Sequence, residues 1–139
     1  RAARFPIPVP NAPRRGVSTP SLDVGFQGIC DLYDFSKNKF KLPFTGIIAS
    51  CDLFAFGAYK AAAKIRFRIP EDISIIGYDD NPMAALSTPP LTTMYMPKET
   101  IATHCSEILV SKLINKDPSI KSYSLEPYLI QRDSIKKIN

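Results

Sequence analysis

The stretch Arg68-Ile69-Pro70-Glu71-Asp72-Ile73-Ser74-Ile75-Ile76-Gly77-Tyr78-Asp79-Asp80 decides the fold class. Pro70 stops whatever helix precedes it, because its ring carries no amide hydrogen and blocks a helix interior. Asp72 to Tyr78 then reads as a strand around the branched run Ile73-Ser74-Ile75-Ile76, a composition suited to burial on both faces. Gly77 ends the apolar run and two acids follow it. A fully buried strand that opens onto adjacent carboxylates is a feature of α/β sheets, not of amphipathic helices.

The pattern repeats on either side. Upstream, Thr45-Gly46-Ile47-Ile48-Ala49-Ser50 is a second short apolar strand. Asp52 offers a carboxylate as N-cap to the helix predicted over Leu53 to Lys64, which is apolar almost all round and therefore expected to be buried on more than one side. Downstream, Asp79-Asp80-Asn81-Pro82 opens one or two helical turns as far as Leu86, and Pro89-Pro90 breaks them. Leu91 to Met96 is a third strand. Pro97 suits the first turn of the next helix, whose apolar face is expected at Ile101, Cys105, Ile108, Leu109 and Leu113, with Asn115 as its stop. Ser122 to Arg132 alternates as a last strand. Strand and helix in turn predict an α/β fold: a mainly parallel sheet with helices on both faces, whose ligands bind beyond the carboxyl ends of the strands. Both acid-bearing strand ends, Cys51-Asp52 and Asp79-Asp80, fall on that rim.

The first forty-odd residues read differently. Pro6, Pro8, Pro10, Pro13 and Pro20 exclude a continuous helix, and Phe5 to Val9 can form at most an extended segment. Ser21 to Asp34 can form a short helix with Phe26, Ile29 and Cys30 on one side. The expected division is a Pro-rich segment over residues 1–43, an α/β unit over 44–135 and a tail over 136–139.

Composition narrows the function classes. The chain of 139 residues is 45% apolar and 22% charged, as in ordinary globular proteins. No apolar run approaches the ~20 residues that cross a bilayer, and prolines rather than an apolar stretch follow the basic start, so neither membrane nor signal peptide is expected. Arg1 in place of Met implies that something upstream is missing or removed. Cys30, Cys51 and Cys105 are odd in number and lack CxxC spacing, which argues against disulfides or zinc and fits a cytoplasmic location. His104 is the single histidine, so neither a metal site nor a nucleophile–histidine–acid set is expected, and no cofactor is implied. The net charge of +5 comes from scattered Lys and Arg without the stripe of a nucleic-acid face.

Three segments also carry a resemblance. Thr45 to Leu53 with Ala55, Gly57 and Ala58 resembles the "TAIxxxxDxxAxGAxxA" segment of LacI/GalR-type transcription regulators. Arg68 to Asp80 resembles their "RVPEDVSVVGFDD", and Thr88-Pro89-Pro90-Leu91-Thr92-Thr93 their "TPPLTT". Glu126 to Ser134, with Leu129, Arg132 and Ser134, is similar to their closing "PxLVxRxS". By this resemblance the chain is identified as the C-terminal effector-binding subdomain of such a regulator, with a bilobed, periplasmic-binding-protein-like fold. The resemblance implies a small-molecule effector, most often a sugar or sugar derivative, held between two lobes. It also implies a homodimer and operator DNA read by a helix-turn-helix that this chain does not contain. Residues 1–43 align with the family in two ways, and no role is carried over from them. Phe26 to Thr45 is short for the connection the family normally has.

The resemblance places Asp79, Cys51, Ile48 and Met96 at the ligand. An ionised carboxylate such as that of Asp79 accepts from a pair of sugar hydroxyls; the competing reading is a cap for the short helix after Pro82. Asp80 is assigned a structural role. Cys51 stands where relatives often have Asn, and Met96 where several have Gln, two changes from polar to weakly polar or apolar. For Ile48, core packing competes with ligand contact and is favoured. Arg66 replaces a glycine usual at the end of the first long helix, so a different turn is expected there. Leu53, Phe56, Tyr59, Lys60, Ala84 and Leu86 are the candidate dimer interface, against the reading that they face their own core. Two rivals remain: a solute-binding protein of the same fold serving transport or chemotaxis, and an enzyme. The adjacent acids Asp79 and Asp80 do not form the separated pair a glycosidase needs, which disfavours the second.

Overall fold

The computed structural model describes residues 21–116, 119 and 122–137; the extended segment expected at Phe5 to Val9 lies outside them. In chain order the elements are α1 (Leu22–Leu32), β1 (Tyr33–Asp34), β2 (Lys39–Phe40), β3 (Gly46–Ile48), α2 (Asp52–Lys64), β4 (Ser74–Tyr78), α3 (Met83–Leu86), β5 (Thr92–Tyr95), α4 (Lys98–Leu113) and β6 (Tyr128–Ile130). The main sheet runs β3-β4-β5-β6. Its first two pairings are parallel, with Ile47 opposite Ile75 and Gly77 opposite Thr93. The last is antiparallel, with Thr93 opposite Ile130. The mainly parallel α/β sheet read from the sequence is therefore present, with the final strand shorter than the Ser122 to Arg132 expected.

The core gathers Ile75 and Leu91 with Ala55, Ala58 and Ala61 of α2, Ala84 of α3 and Ile29 of α1. Small residues dominate α2 because α1 lies directly on it. A Cβ added to Gly25 would come within 2.2 Å of the Phe54 carbonyl oxygen, and one added to Gly57 within 2.2 Å of the Leu22 carbonyl oxygen. Each glycine thus admits the other helix's backbone, and any side chain there would force the pair apart. Phe26 and Cys30 pack on the same core, so the change in composition near residue 43 is not a break in packing.

Between α1 and β3 stands a two-stranded hairpin that the sequence reading did not include. Its turn, Asp34-Phe35-Ser36-Lys37-Asn38-Lys39, lacks the Asn-Gly or Asp-Gly signal of a tight hairpin. The Asp34 carboxylate supplies the turn instead, accepting from the Ser36 amide at 3.0 Å and the Lys37 amide at 3.2 Å, while Asn38 adopts φ 49°. Tyr33 and Phe40 pair across it, edge to face, and both meet Phe67 beyond α2.

Two local expectations need correction. Arg66 does occupy the left-handed region, at φ 61°, and the turn is the one a glycine would make. The Phe67 amide donates to the Ala62 carbonyl at 2.9 Å and the Arg66 amide to the Ala63 carbonyl at 3.2 Å, the paired bonds of a Schellman ending. The apolar stripe predicted for α4 is not buried: no residue of α4 is, and Leu113 is 70% exposed. The least exposed line of the helix runs through Ile101, His104, Ile108 and Ser111, displaced from Cys105 and Leu109, and His104 stacks on Tyr123 with ring centroids 3.8 Å apart.

An arginine at φ 61° carries backbone strain that glycine lacks. Arg66→Gly is therefore expected to raise stability by roughly 0.5–1 kcal/mol, the strain relieved less the added freedom of the unfolded glycine chain. Urea unfolding of the two proteins checks this; an unchanged or lower midpoint would contradict it.

Candidate functional site

The carboxyl ends of β3, β4 and β5 open onto one rim. Its centre is the loop after β4, where Asp79 and Asp80 both take positive φ, 111° and 45°. Non-glycine residues stay in this region only when their surroundings hold them. Here the hold is dense. The Asp79 amide donates to the Met94 carbonyl at 2.9 Å, and the Asp79 carbonyl accepts from the Lys98 ammonium at 2.5 Å. The Asn81 amide donates to Asp52 Oδ2 at 2.6 Å. The Asp80 carboxylate accepts from Arg132 Nη2 at 2.7 Å, which gives Asp80 the structural role expected of it.

Asp52 is not the side-chain cap that its position suggested. The N-cap of α2 is Cys51, which makes no side-chain capping bond, and Asp52 is the first helical residue. Its carboxylate, 1% exposed, turns under the loop and also accepts from Thr93 Oγ1 at 2.6 Å. A Cβ on Gly77 would stand 2.0 Å from Asp52 Oδ1, so the glycine that ends β4 is what lets the carboxylate in. The helix N-terminus favours negative charge at this position.

Among the described residues the Asp79 carboxylate accepts no hydrogen bond. The capping role that competed with ligand contact belongs to Asn81, whose Oδ1 accepts from the Met83 amide at 3.0 Å. Partial burial pushes the Asp79 carboxyl above its ordinary value, and the nearby Asp52 carboxylate adds to this while the Lys98 ammonium opposes it. A partly exposed anionic acceptor in a loop at the carboxyl rim, without a hydrogen-bond donor among the described residues, can take donors from a polyol or an ammonium group.

The other candidates lie at or just beyond the carboxyl ends of β3 and β5. Ile48, at the end of β3, is 75% exposed, which overturns the favoured reading of it as core. Cys51 is half-buried at the start of α2, and Met96 is half-buried after β5. The Tyr78 hydroxyl donates to the Met96 sulfur at 2.9 Å, so both polar tips are turned toward each other. Lys98, Arg132, Asn81 and Thr93 were not singled out from the sequence as rim residues. Arg132 and Thr93 lie inside stretches quoted for the resemblance, but only the fold brings them to Asp80 and Asp52. No three His, Cys, Asp or Glu side chains among the described residues are grouped as a metal site.

The interface candidates divide. Leu53, Phe56 and Tyr59 are half-buried and line an open groove of about 380 Å³ with Leu22, Asn81, Met83 and Ser87. Lys60 is exposed with its ammonium 5.3 Å from the centre of the Phe26 ring, and Leu86 is 73% exposed. Ala84 is a correction: it is wholly buried in the chain's own core and presents nothing to a partner.

Comparison with known proteins gives a consistent picture. The model of a periplasmic binding protein-like domain matches residues 10–135. The HTH-type transcriptional repressor PurR of Vibrio vulnificus (strain CMCP6) is 37% identical over 95 residues, covering 68% of this chain and 28% of its own length. Among solved structures, a LacI family transcriptional regulator from Enterococcus faecalis V583 with bound ribose superposes with a TM-score of 0.78 at 30% identity, over 88% of this chain and 43% of that one. A complex of the transcriptional regulator CelR with cellobiose superposes at 0.72 and 25% identity, over 82% and 33%. The chain thus spans less than half the length of each of these relatives.

The raised Asp79 carboxyl gives a pH prediction. A group that holds its proton more tightly when folded penalises the folded state once ionised; the penalty is absent well below the unfolded value of 3.8 and sets in as pH rises through the folded value. Asp79→Asn is therefore expected to raise the unfolding midpoint at pH 7 and to lose that advantage near pH 3. Thermal melts across that range check it, and a variant less stable at pH 7 than at pH 3, relative to the parent, would contradict it.

Proposed function

The chain belongs to the family of periplasmic binding protein-like domains, and on that premise we propose that it is the effector-binding and dimerising part of a LacI/GalR-type transcription regulator. The observation that carries this reading is the Asp79 carboxylate, which accepts no hydrogen bond among the described residues and whose backbone is clamped at the carboxyl rim of a parallel sheet. Rims of this kind are where open α/β sheets bind small molecules. Ribose and cellobiose bound to the two structural relatives support a sugar or sugar derivative as the effector. Ile48 and Met96 add apolar surface beside the acceptor and favour a ligand with one less hydroxylated face.

The effector acts through the second lobe of the cleft, which would bring its own donors to the ligand and close on it. Its binding changes the balance between open and closed states by the difference in its affinity for them, commonly ~1–3 kcal/mol. The groove of Leu53, Phe56 and Tyr59, with exposed Leu86 beside it, serves a homodimer, and a two-fold dimer suits operator half-sites read by a separate helix-turn-helix domain. A regulator of this kind works in the cytoplasm without enzymatic turnover. No helix among the described residues is long and apolar enough to cross a membrane. The transport-receptor reading is less well supported, because the curated relative with 37% identity is a repressor.

Isothermal titration of the protein with D-ribose and with cellobiose tests the reading. Binding of at least one is expected, weakened about tenfold or more by Asp79→Ala, since a hydrogen bond to a charged group contributes roughly 1.5–3 kcal/mol. Undiminished affinity in a folded Asp79→Ala protein would overturn the site.

A further inference from the structure

The loop that presents Asp79 is held from several sides, and one of the holds comes from the far end of the chain. From the α2 side, the Asp52 carboxylate takes the Asn81 amide. From the β6 side, Arg132 takes the Asp80 carboxylate. The other tethers are the bond of the Asp79 amide to the Met94 carbonyl, the Lys98 ammonium on the Asp79 carbonyl, and a long contact of 3.4 Å between the Asp80 amide and Thr93 Oγ1. Among the described residues, Arg132 is thus the one tether that grips a side chain of these two positive-φ residues. It is itself fixed at two further points: Nη1 donates to the Leu91 carbonyl at 2.8 Å and its amide donates to Thr92 Oγ1 at 2.9 Å. The pair is largely shielded, with side-chain exposures of 19% and 20%, so water substitutes poorly for either partner.

We propose that Arg132, acting through Asp80, is a positioning residue for Asp79: the guanidinium holds Asp80 in its left-handed conformation, and that conformation aims the neighbouring carboxylate at the ligand. A planar, fixed fork does this better than a flexible ammonium, because it binds the carboxylate and the Leu91 carbonyl at once. Without Arg132, Asp80 loses its partner while its backbone stays in a region that only tethering sustains. The loop then relaxes and Asp79 leaves its aim. This deepens the effector-site reading and rests on it for the ligand, although the loop geometry stands apart from any ligand.

The test therefore has one readout without ligand and one with it. Hydrogen exchange is followed at the amides of Asp79 and Asp80 in the parent protein, Arg132→Met, Arg132→Lys and the near-isosteric Asp80→Asn. At least tenfold faster exchange at these two amides is expected in Arg132→Met, with a smaller, intermediate rise in Arg132→Lys and in Asp80→Asn, whose amide keeps one acceptor oxygen for Arg132, and none at Ala58 and Ala61 in α2. Unchanged protection of the Asp79 amide in Arg132→Met would overturn the proposal, as would unchanged protection in both Arg132→Lys and Asp80→Asn if Arg132→Met does not fold. With D-ribose as probe, Arg132→Met is expected to weaken binding at least tenfold in the parent and not at all further in an Asp79→Asn background. Equal weakening in both backgrounds would mean that Arg132 supports the fold alone, which also overturns it. If the parent protein does not bind ribose while exchange at Asp79 rises as expected, ribose fails as effector and the positioning role stands.

Discussion

A buried carboxylate organises this molecule. Asp52 receives the Thr93 hydroxyl and the Asn81 amide, each at 2.6 Å, from the first turn of α2. A charge taken out of water is costly unless its hydrogen bonds are made, and here both donors come from segments distant in the chain. One side chain therefore ties the helix to β5 and to the loop that follows β4. The absence of a side chain at Gly77 gives it room, and the helix N-terminus gives it a favourable field. What the rim presents, above all the free Asp79 carboxylate, follows from where this clamp sets the loop.

The same logic explains why polar groups that look alike in sequence do different work. Asp52, Asp79 and Asp80 are three acids on two strand ends. Asp52 is sealed beneath the loop, Asp80 is paired with Arg132, and Asp79 is the one of the three whose carboxylate accepts no hydrogen bond among the described residues. Neighbouring carboxylates repel one another, and Arg132 offsets this at Asp80 while the Lys98 ammonium offsets it at Asp79. An unsatisfied, partly desolvated charge is a feature that folding alone does not favour, and proteins keep such features mainly at functional sites.

Much of the architecture was legible in the sequence because its signals are local. The isoleucine runs at 73–76 and 47–48, the prolines at 70 and 97, and the acids that follow each strand mark elements whose observed bounds differ by only a few residues. What was not legible depends on contacts between distant segments. Ser21 to Asp34 reads as a modest helix, yet Gly25 and Gly57 show that α1 and α2 meet backbone to backbone, which no pattern within either helix states. Arg66 hid a glycine-type turn, and the hairpin at Asp34 is built by a side chain instead of a turn dipeptide. The apolar face read for α4 followed helical periodicity, but the inward line passes through His104 and Ser111. In the proposed site, the place of Asp79 at the end of its strand was readable through the motif. Its freedom was not, because that depends on Asn81 taking the cap and Arg132 taking Asp80.

The Asp52 carboxylate is the joint between α2, β5 and the rim loop, and urea unfolding of Asp52→Ala measures what that joint contributes. Truncation leaves the Asn81 amide and the Thr93 hydroxyl without their acceptor and opens a void beside Gly77. A loss of roughly 3 kcal/mol or more is expected, with Asp52→Asn intermediate because an amide retains one acceptor oxygen. A loss below about 0.5 kcal/mol, the ordinary range for a surface substitution, would contradict it.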